Sequence, residues 1–324
     1  MKLLIKKRDT DGPLQQCVRA RLPAPWRIEL VDADDASAFA RTLQDADAII
    51  SMDWHAAPAA PKLKLLHLPG AGTDAIDFNA VPPTAAVCNA YGHEVSIAEY
   101  VMATLLEMTL GVRQMDAALR RNHWHGWWRV GPLHDYVFGK TVGIVGYGRI
   151  GREVARRARA FGMNVIACSR TAKSGDEFVE HVEDMSGFDA LLRAVDYVVV
   201  GLPLDEASRG LFDARALALM KPTAIIINPS RGALIDEEAL YRALSEKRIG
   251  GAVIDVWYQY PQAGAGDGAP SRFPFHELDN VIMTPHASAW TMHQIQQRCA
   301  IIIENLERLA RGEPLVNVVR AARL

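Results

Sequence analysis

Residues 140–162 read KTVGIVGYGRIGREVARRARAFG, and how this stretch folds decides the rest. The apolar run ending at Val145 reads as a buried strand, and GREVARRARAFG carries helical periodicity. Between them Gly146, Gly148 and Gly151 stand in G-x-G-x-x-G spacing. Alone, that spacing is a weak signal. Between a strand and a helix it becomes specific, because the three glycines meet three separate needs. The first permits a tight turn, the second lets pyrophosphate approach the backbone, and the third lets helix pack closely on strand. The residues that open the helix, Gly148, Arg149 and Ile150, then offer free N–H groups and a positive dipole end to phosphates. The stretch predicts a dinucleotide site on a doubly wound α/β sheet.

The next strand end, VIACSRTAK, refines the cofactor. An NAD site usually places Asp or Glu here to hold the ribose hydroxyls. Ser169, Arg170, Thr171 and Lys173 stand there instead. An acid repels a 2′-phosphate, whereas a hydroxyl, a guanidinium and an ammonium attract one. Either this is a basic surface loop, or the preferred cofactor is NADP with NAD also possible.

Outward from this point, short apolar runs alternate with amphipathic stretches, the pattern of α/β architecture with mainly parallel sheets. The runs are WRIEL, DADAIIS, LKLLHLP, AAVCNA, KTVGIVGYG, MNVIACS, DYVVVGLPL, TAIIINPS, GGAVIDVW and NVIMTPH. Long helical segments at about 94–120 and 289–311 could carry the chain out of one domain and back, and QAGAGDGAPS at 262–271 reads as a loop. A chain of 324 residues exceeds one ordinary core, so two domains are expected. With 49% apolar residues, 23% charged and a net charge of −2, no nucleic-acid or membrane partner is implied. MKLLIKKRDT reads as a first strand rather than a signal peptide. Cys17, Cys88, Cys168 and Cys299 lie far apart, with no CxxC and no zinc spacing. They are expected to be buried thiols in a reducing, cytoplasmic compartment, with no metal centre.

Further motifs carry a family resemblance. LPGAGTDAID (68–77), SIAEYV (96–101), VGIVGYGRIG, LPLDEASRGLF, MKPTAIIINPSRGALIDEEAL, VIDVW and NVIMTPHASAW occur in an order that resembles the D-isomer-specific 2-hydroxyacid dehydrogenases along nearly the whole chain. The basic SRT is similar to the glyoxylate/hydroxypyruvate reductase branch. The resemblance implies a Rossmann-type cofactor domain (95–288), a smaller flavodoxin-like α/β substrate domain (1–94 and 289–324) and a homodimer formed through the cofactor domain. It also implies hydride transfer between a nicotinamide and C2 of a 2-oxo or 2-hydroxy acid.

By that resemblance Arg231, in NPSRGAL, binds the substrate carboxylate, and His286, in TPHASAW, is the acid–base residue. Backbone N–H groups of Ala71 and Gly72 hold the other side of the carboxylate. Asp255 binds the nicotinamide carboxamide, or else caps the next turn. Pro203, Pro229 and Ser230 line the cofactor site. Trp54 and Trp290 are candidates for the substrate pocket, with Trp54 either pointing into a cleft or lying in a surface loop.

The match fails at Tyr260. In most of the family a glutamate follows the Asp255 position by five residues and pairs with the histidine; here that position, in IDVWYQYP, is a tyrosine. A carboxylate would favour imidazolium, whereas a neutral phenol does not, and a nearby Arg231 disfavours it. His286 is then expected to be a readier base near neutrality. Tyr260 either hydrogen-bonds His286 and fixes its tautomer, or walls an aromatic pocket with Trp257, Tyr258 and Trp290; alternatively these aromatics only pack. Formate dehydrogenases of the superfamily also carry a neutral residue there, but this chain lacks their acidic strand end and has His93 where they carry asparagine. Two other readings stay open: a nucleotide-sensing protein like the family's corepressors, and a dehydrogenase whose substrate is not a 2-hydroxy acid.

Overall fold

The computed structural model describes residues 1–6, 12–32, 35–55, 59–124, 126–128, 131–261 and 266–323; residues 262–265 of the expected 262–271 loop lie outside these. The chain divides into two compact units, Met1–Gly92 with Trp290–Leu324, and His93–Ala289.

In the first unit, β1 (Lys2–Lys6), β2 (Arg27–Val31), β3 (Ala48–Ile50), β4 (Leu65–His67), β5 (Ala86–Cys88) and β14 (Val318–Arg320) form one sheet in the order β14-β5-β4-β3-β1-β2. All neighbours are parallel except β14, which pairs antiparallel with β5. The 2-1-3-4-5 order of the parallel strands is that of flavodoxin-like sheets. Its strands β3, β4 and β5 are buried throughout, as a sheet covered on both faces requires.

The second unit carries β6 (Thr141–Val145), β7 (Asn164–Cys168), β8 (Lys173–Ser174), β9 (His181–Glu183), β10 (Tyr197–Val200), β11 (Ile225–Asn228), β12 (Gly251–Ile254) and β13 (Val281–Met283). Their order is β13-β12-β11-β10-β6-β7-β9-β8, parallel apart from β8. Strand order reverses between β6 and β10, so the open end of the sheet there is the place where doubly wound folds bind ligands. The runs YVVV and IIIN are buried at every position. Val101, Leu105, Val154 and Ala158, from the helices Glu94–Leu110 and Arg149–Ala160, cover one face; Leu191, Leu192, Leu217 and Leu240 cover the other.

Two expectations need correction. The segment 94–120 is not one helix: Gly111 adopts φ 69° and ends Glu94–Leu110, after which Val112–Leu119 starts at an angle of 59°. Apolar periodicity runs across the break, but a left-handed residue closes the helix with a bond from Gly111 N–H to the Glu107 carbonyl. Nor are all four cysteines free. Cys17 and Cys299 form a disulfide between the helices Gly12–Arg21 and Met292–Arg311, while Cys88 and Cys168 are buried thiols. No single helix among the described residues is long and apolar enough to cross a membrane.

A buried histidine couples the first unit's stability to pH. His67, at the end of β4, is fully buried; its Nδ1 lies 2.9 Å from the Leu68 carbonyl, and its Nε2 is 3.0 Å from the Asn305 side-chain amide. Burial dominates and pulls its pKa from 6.5 down to about 4. The unfolded chain therefore takes up this proton at a higher pH than the folded one, so stability is lost as pH falls from neutrality toward 4. Urea denaturation at about pH 7 and pH 4.5 should show a loss of about 2–3 kcal/mol from this residue. The same comparison on His67→Gln should lack that increment.

Candidate active site

The glycine loop follows β6. Gly146 has φ +105°, and a Cβ there would lie 2.6 Å from the carbonyl oxygen of Gly201, beyond β10. No other residue fits where these two backbones meet at the reversal of strand order. A Cβ on Gly151 would come 2.8 Å from the Gly146 carbonyl oxygen, so the helix packs down on the turn. Gly148 differs: it caps the helix Arg149–Ala160 with no side-chain bond, and nothing lies within 4 Å of where its Cβ would be. Open space before an uncapped helix N-terminus fits a pyrophosphate. Arg149 is exposed and Ile150 partly buried at that N-terminus.

The basic strand end after β7 is more engaged than its sequence suggests. Arg170 pairs with Asp205, whose carboxyl is held below its ordinary range first by the Ser208 N–H and further by Arg170. Lys173 donates to the Tyr147 carbonyl at 2.9 Å and so closes over the glycine loop. Tyr147 itself donates to Asp176 at 2.9 Å, and Arg152 pairs with the same carboxylate at 3.0 Å. Ser169 is buried and its N–H bonds Glu183, while Thr171 is exposed.

Arg231, Asp255, Tyr260 and His286 all belong to the second unit, on the segments after β11, β12 and β13. These strands are parallel, so the segments leave the same edge of the sheet as the glycine loop. Asn228 organises the first of them: its amide donates to the Arg231 carbonyl at 2.8 Å, and its oxygen accepts the Ser230 N–H at 3.1 Å. Ser230 donates to the Leu202 carbonyl at 2.6 Å, Pro229 is buried beside it, and Pro203 is exposed with its carbonyl bonded by Ser208. Gly232 lets this loop approach its neighbour, since a Cβ would lie 2.6 Å from the Trp257 carbonyl oxygen.

Asp255 is completely buried, and its carboxylate accepts from Thr284 Oγ1 at 2.5 Å, Ala287 N–H at 2.9 Å and Ser288 N–H at 3.0 Å. These bonds grip the turn that carries His286, which has φ +57°. A left-handed residue other than glycine costs about 1–3 kcal/mol and persists only where its surroundings dictate it. Tyr100 lies 2.6 Å from Thr284 Oγ1. Burial pushes its phenol up to about 12, so it stays protonated and donates. The Tyr260 hydroxyl lies 3.0 Å from His286 Nδ1 and accepts the Trp257 N–H at 3.2 Å. The Trp257 indole in turn donates to the Thr284 carbonyl at 2.8 Å.

The remaining candidates lie in the first unit. The Ala71 carbonyl accepts from the Asn89 amide at 2.9 Å, Gly72 is exposed, and Trp290 is 53% exposed. Trp54 is neither a cleft residue nor a surface one: it is 3% exposed, packs in the core and donates its indole N–H to the Ala80 carbonyl at 3.1 Å. A backbone bridge joins it to Ile76. Trp257 and Tyr258 likewise pack in the second unit's core rather than walling a pocket, Trp257 edge-on to Phe275.

The sequence model described as "D-isomer specific 2-hydroxyacid dehydrogenase, NAD binding domain" matches residues 102–288. The chain belongs to the D-isomer-specific 2-hydroxyacid dehydrogenase family. It is 35% identical to a glyoxylate reductase of Korarchaeum cryptofilum, covering 86% of this chain and 83% of that one. It is 32% identical to a D-3-phosphoglycerate dehydrogenase of Methanocaldococcus jannaschii over 98% of its own length but 59% of that protein's, so it spans little more than half of that relative. An acyclic imino acid reductase solved with NADPH and D-Arg superposes with a TM-score of 0.80 at 26% identity, covering 98% of this chain and 100% of that one.

Within this dehydrogenase-family chain, sequence reading missed Asn228, Thr284, Tyr100, Asp176 and Asp205. Asn228 had a local signal, an Asn-Pro pair at a strand end; the others act across the fold. The loop geometry makes the two leading glycines unequal. Gly146→Ala must overcome both its φ and the contact with Gly201 and should cost about 2 kcal/mol or more. Gly148→Ala meets open space and should cost under about 1 kcal/mol. Urea unfolding of the two variants side by side measures the contrast.

Proposed function

We propose that this chain is an NADP(H)-linked oxidoreductase acting between the cofactor and C2 of a 2-oxo or 2-hydroxy acid. One observation carries the reading: the segments bearing Arg231, Tyr260 and His286 emerge from the edge of the parallel sheet that also carries the glycine loop. Gly146, Gly148, Arg149, Ile150 and Gly151 would hold the pyrophosphate, with Pro203, Pro229 and Ser230 alongside; the nicotinamide, when bound, supplies or accepts the hydride. The Arg231 guanidinium binds the substrate carboxylate as a fork and polarises the carbonyl. By the sequence resemblance Ala71, Gly72 and Trp290 remain the first unit's candidates for substrate binding. Trp54 is dropped from that set because it is buried. His286 exchanges the proton at the C2 oxygen. Asp255 is better supported as the clamp of the His286 turn than as a ligand of the carboxamide, since its bonds already go to that turn.

The preference for NADP(H) is supported by Ser169, Arg170, Thr171 and Lys173 and by the NADPH-bound structural neighbour. A 2′-phosphate would take Arg170 from Asp205 and Lys173 from the Tyr147 carbonyl. Initial rates with glyoxylate, hydroxypyruvate, pyruvate and phenylpyruvate, each with NADPH and NADH, test the proposal. Turnover faster with NADPH is expected, and Arg231→Gln should lower kcat/KM roughly 100-fold or more. NADPH binding with no turnover of any of the four would instead favour a nucleotide-sensing protein.

A homodimer through the second unit is part of the same proposal. Trp124, Trp128, Leu133, Tyr136 and Phe138 are 64–98% exposed within one short stretch of that unit, large apolar side chains that an interface would cover. Light scattering should give twice the 35.6 kDa chain mass, and Trp128→Asp with Leu133→Asp should return it toward one chain.

A further inference from the structure

The geometry points to Tyr260 as the residue that holds neutral His286 in its Nε2–H tautomer and feeds it, through Nδ1, the proton delivered to the substrate. This rests on the hydride-transfer reading and assigns a role to the position at which the chain departs from its family.

A phenol has one proton to give. The Tyr260 oxygen accepts the Trp257 N–H at 3.2 Å, and His286 Nδ1 lies 3.0 Å from it. The proton is best placed between oxygen and Nδ1, and a neutral imidazole that accepts at Nδ1 carries its own hydrogen on Nε2. A glutamate at this position would do the reverse: it only accepts, so it demands a hydrogen on Nδ1. The Trp257 N–H is not incidental to the arrangement. Gly232 packs against the Trp257 carbonyl and the indole is tied to Thr284, so the donor is fixed where the phenol oxygen needs it.

In the reductive direction, the carbonyl carbon gains the hydride and its oxygen becomes an alkoxide. The alkoxide takes the proton from Nε2, forming the new O–H bond as the Nε2–H bond breaks. Nδ1 takes the phenolic proton as the Tyr260 O–H bond breaks, leaving a phenolate that accepts the Trp257 N–H. Imidazole is neutral before and after, with its tautomer exchanged. The phenolate then takes back the Nδ1 proton while Nε2 of the exposed His286 takes one from water, so both groups return to their starting states. One hydride and one proton are added to the carbonyl, and imidazolium is never required.

Among the described residues, the ionisable groups on the elements joined to the pair include Asp255, Tyr100, Arg231 and Asp267. Asp255 lies beneath the 286–288 turn, Tyr100 bonds Thr284, Arg231 precedes the loop seated on Trp257, and Asp267 is on the segment packed against Pro261. The Asp255 carboxylate is met by three hydrogen bonds.

Two measurements test the inference. In proton–nitrogen NMR spectra at about pH 7.5, with the His286 signals assigned by their loss in His286→Gln, wild type should show the neutral Nε2–H tautomer. Tyr260→Phe should show a mixture, and Tyr260→Glu a hydrogen on Nδ1. A wild-type His286 that is imidazolium, or protonated on Nδ1, overturns the assignment whether or not the protein turns over. In glyoxylate reduction by NADPH, an imidazolium acid loses activity as pH rises past about 6.5, whereas a phenol-fed acid holds toward about 10. Wild-type kcat/KM should therefore stay flat within about twofold between pH 6.5 and 8.5. Tyr260→Glu should gain a declining limb, and Tyr260→Phe should lose roughly 100-fold in kcat with KM little changed. A tenfold fall per pH unit in the wild type overturns the relay. Absence of wild-type turnover overturns both the hydride reading and the relay, while the tautomer spectrum still decides what Tyr260 does to His286.

Discussion

Buried completely after β12, the Asp255 carboxylate accepts three described hydrogen bonds, all from one short segment, Thr284 to Ser288. That constraint propagates. It holds His286 in a left-handed conformation that a histidine does not choose. By fixing Thr284, it places the carbonyl that receives the Trp257 indole, and Trp257 places the N–H that receives the Tyr260 phenol. A buried charge with three partners is stable only as a complete set, since removing one partner leaves the remainder desolvated and unmet. The candidate acid–base pair therefore rests on a carboxylate that need never touch a substrate.

Two glycines let the supporting loops converge. Gly146 meets the backbone of Gly201 where the strand order reverses, and Gly232 meets the backbone of Trp257 where the Arg231 loop crosses the segment after β12. In each place a Cβ would push two strand ends apart by about the width of a methyl group, more than site geometry tolerates. Asn228 supplies the matching constraint inside the Arg231 loop by bonding both sides of its own turn. The carboxylate-binding candidate and the proton-transfer candidates are thus held by separate local devices that touch through backbone contacts at Trp257.

Much of this arrangement was legible in the sequence because it is local. Each apolar run named from periodicity lies on a strand, and the motif residues fall on the segments after β6, β7, β10, β11, β12 and β13. What was not legible is carried by partners distant in the chain. Asp255 finds its three donors 29 to 33 residues away, and Cys17 finds Cys299 across 282 residues. An aromatic at a strand end does not declare which way it points, so Trp54 read equally well as cleft or surface, whereas the fold buries it in the first unit's core. The break at Gly111 was hidden for the opposite reason: apolar periodicity continued through it, and only a backbone angle ended the helix. Arg170 and Lys173 looked uncommitted because Asp205 and the Tyr147 carbonyl, their partners, lie outside the basic stretch.

The substitution of tyrosine for the family's glutamate also changes the charge balance of the site. With a carboxylate at position 260, Arg231 and an imidazolium could coexist, two cations offset by one anion before any substrate arrives. With a phenol there, an imidazolium near Arg231 would lack that offset, and desolvation on ligand entry would make the repulsion worse. A neutral imidazole removes the conflict and leaves Arg231 as the proposed partner of a 2-oxo acid's single negative charge. The proton still has to come from somewhere, and the phenol is the one uncharged donor bonded to His286 Nδ1 among the hydrogen bonds described. Its oxygen also accepts the Trp257 N–H, which stabilises a phenolate without introducing a second charge. Charge, tautomer and hydrogen-bond direction thus agree on one assignment for Tyr260, and none of the three depends on the identity of the 2-oxo acid.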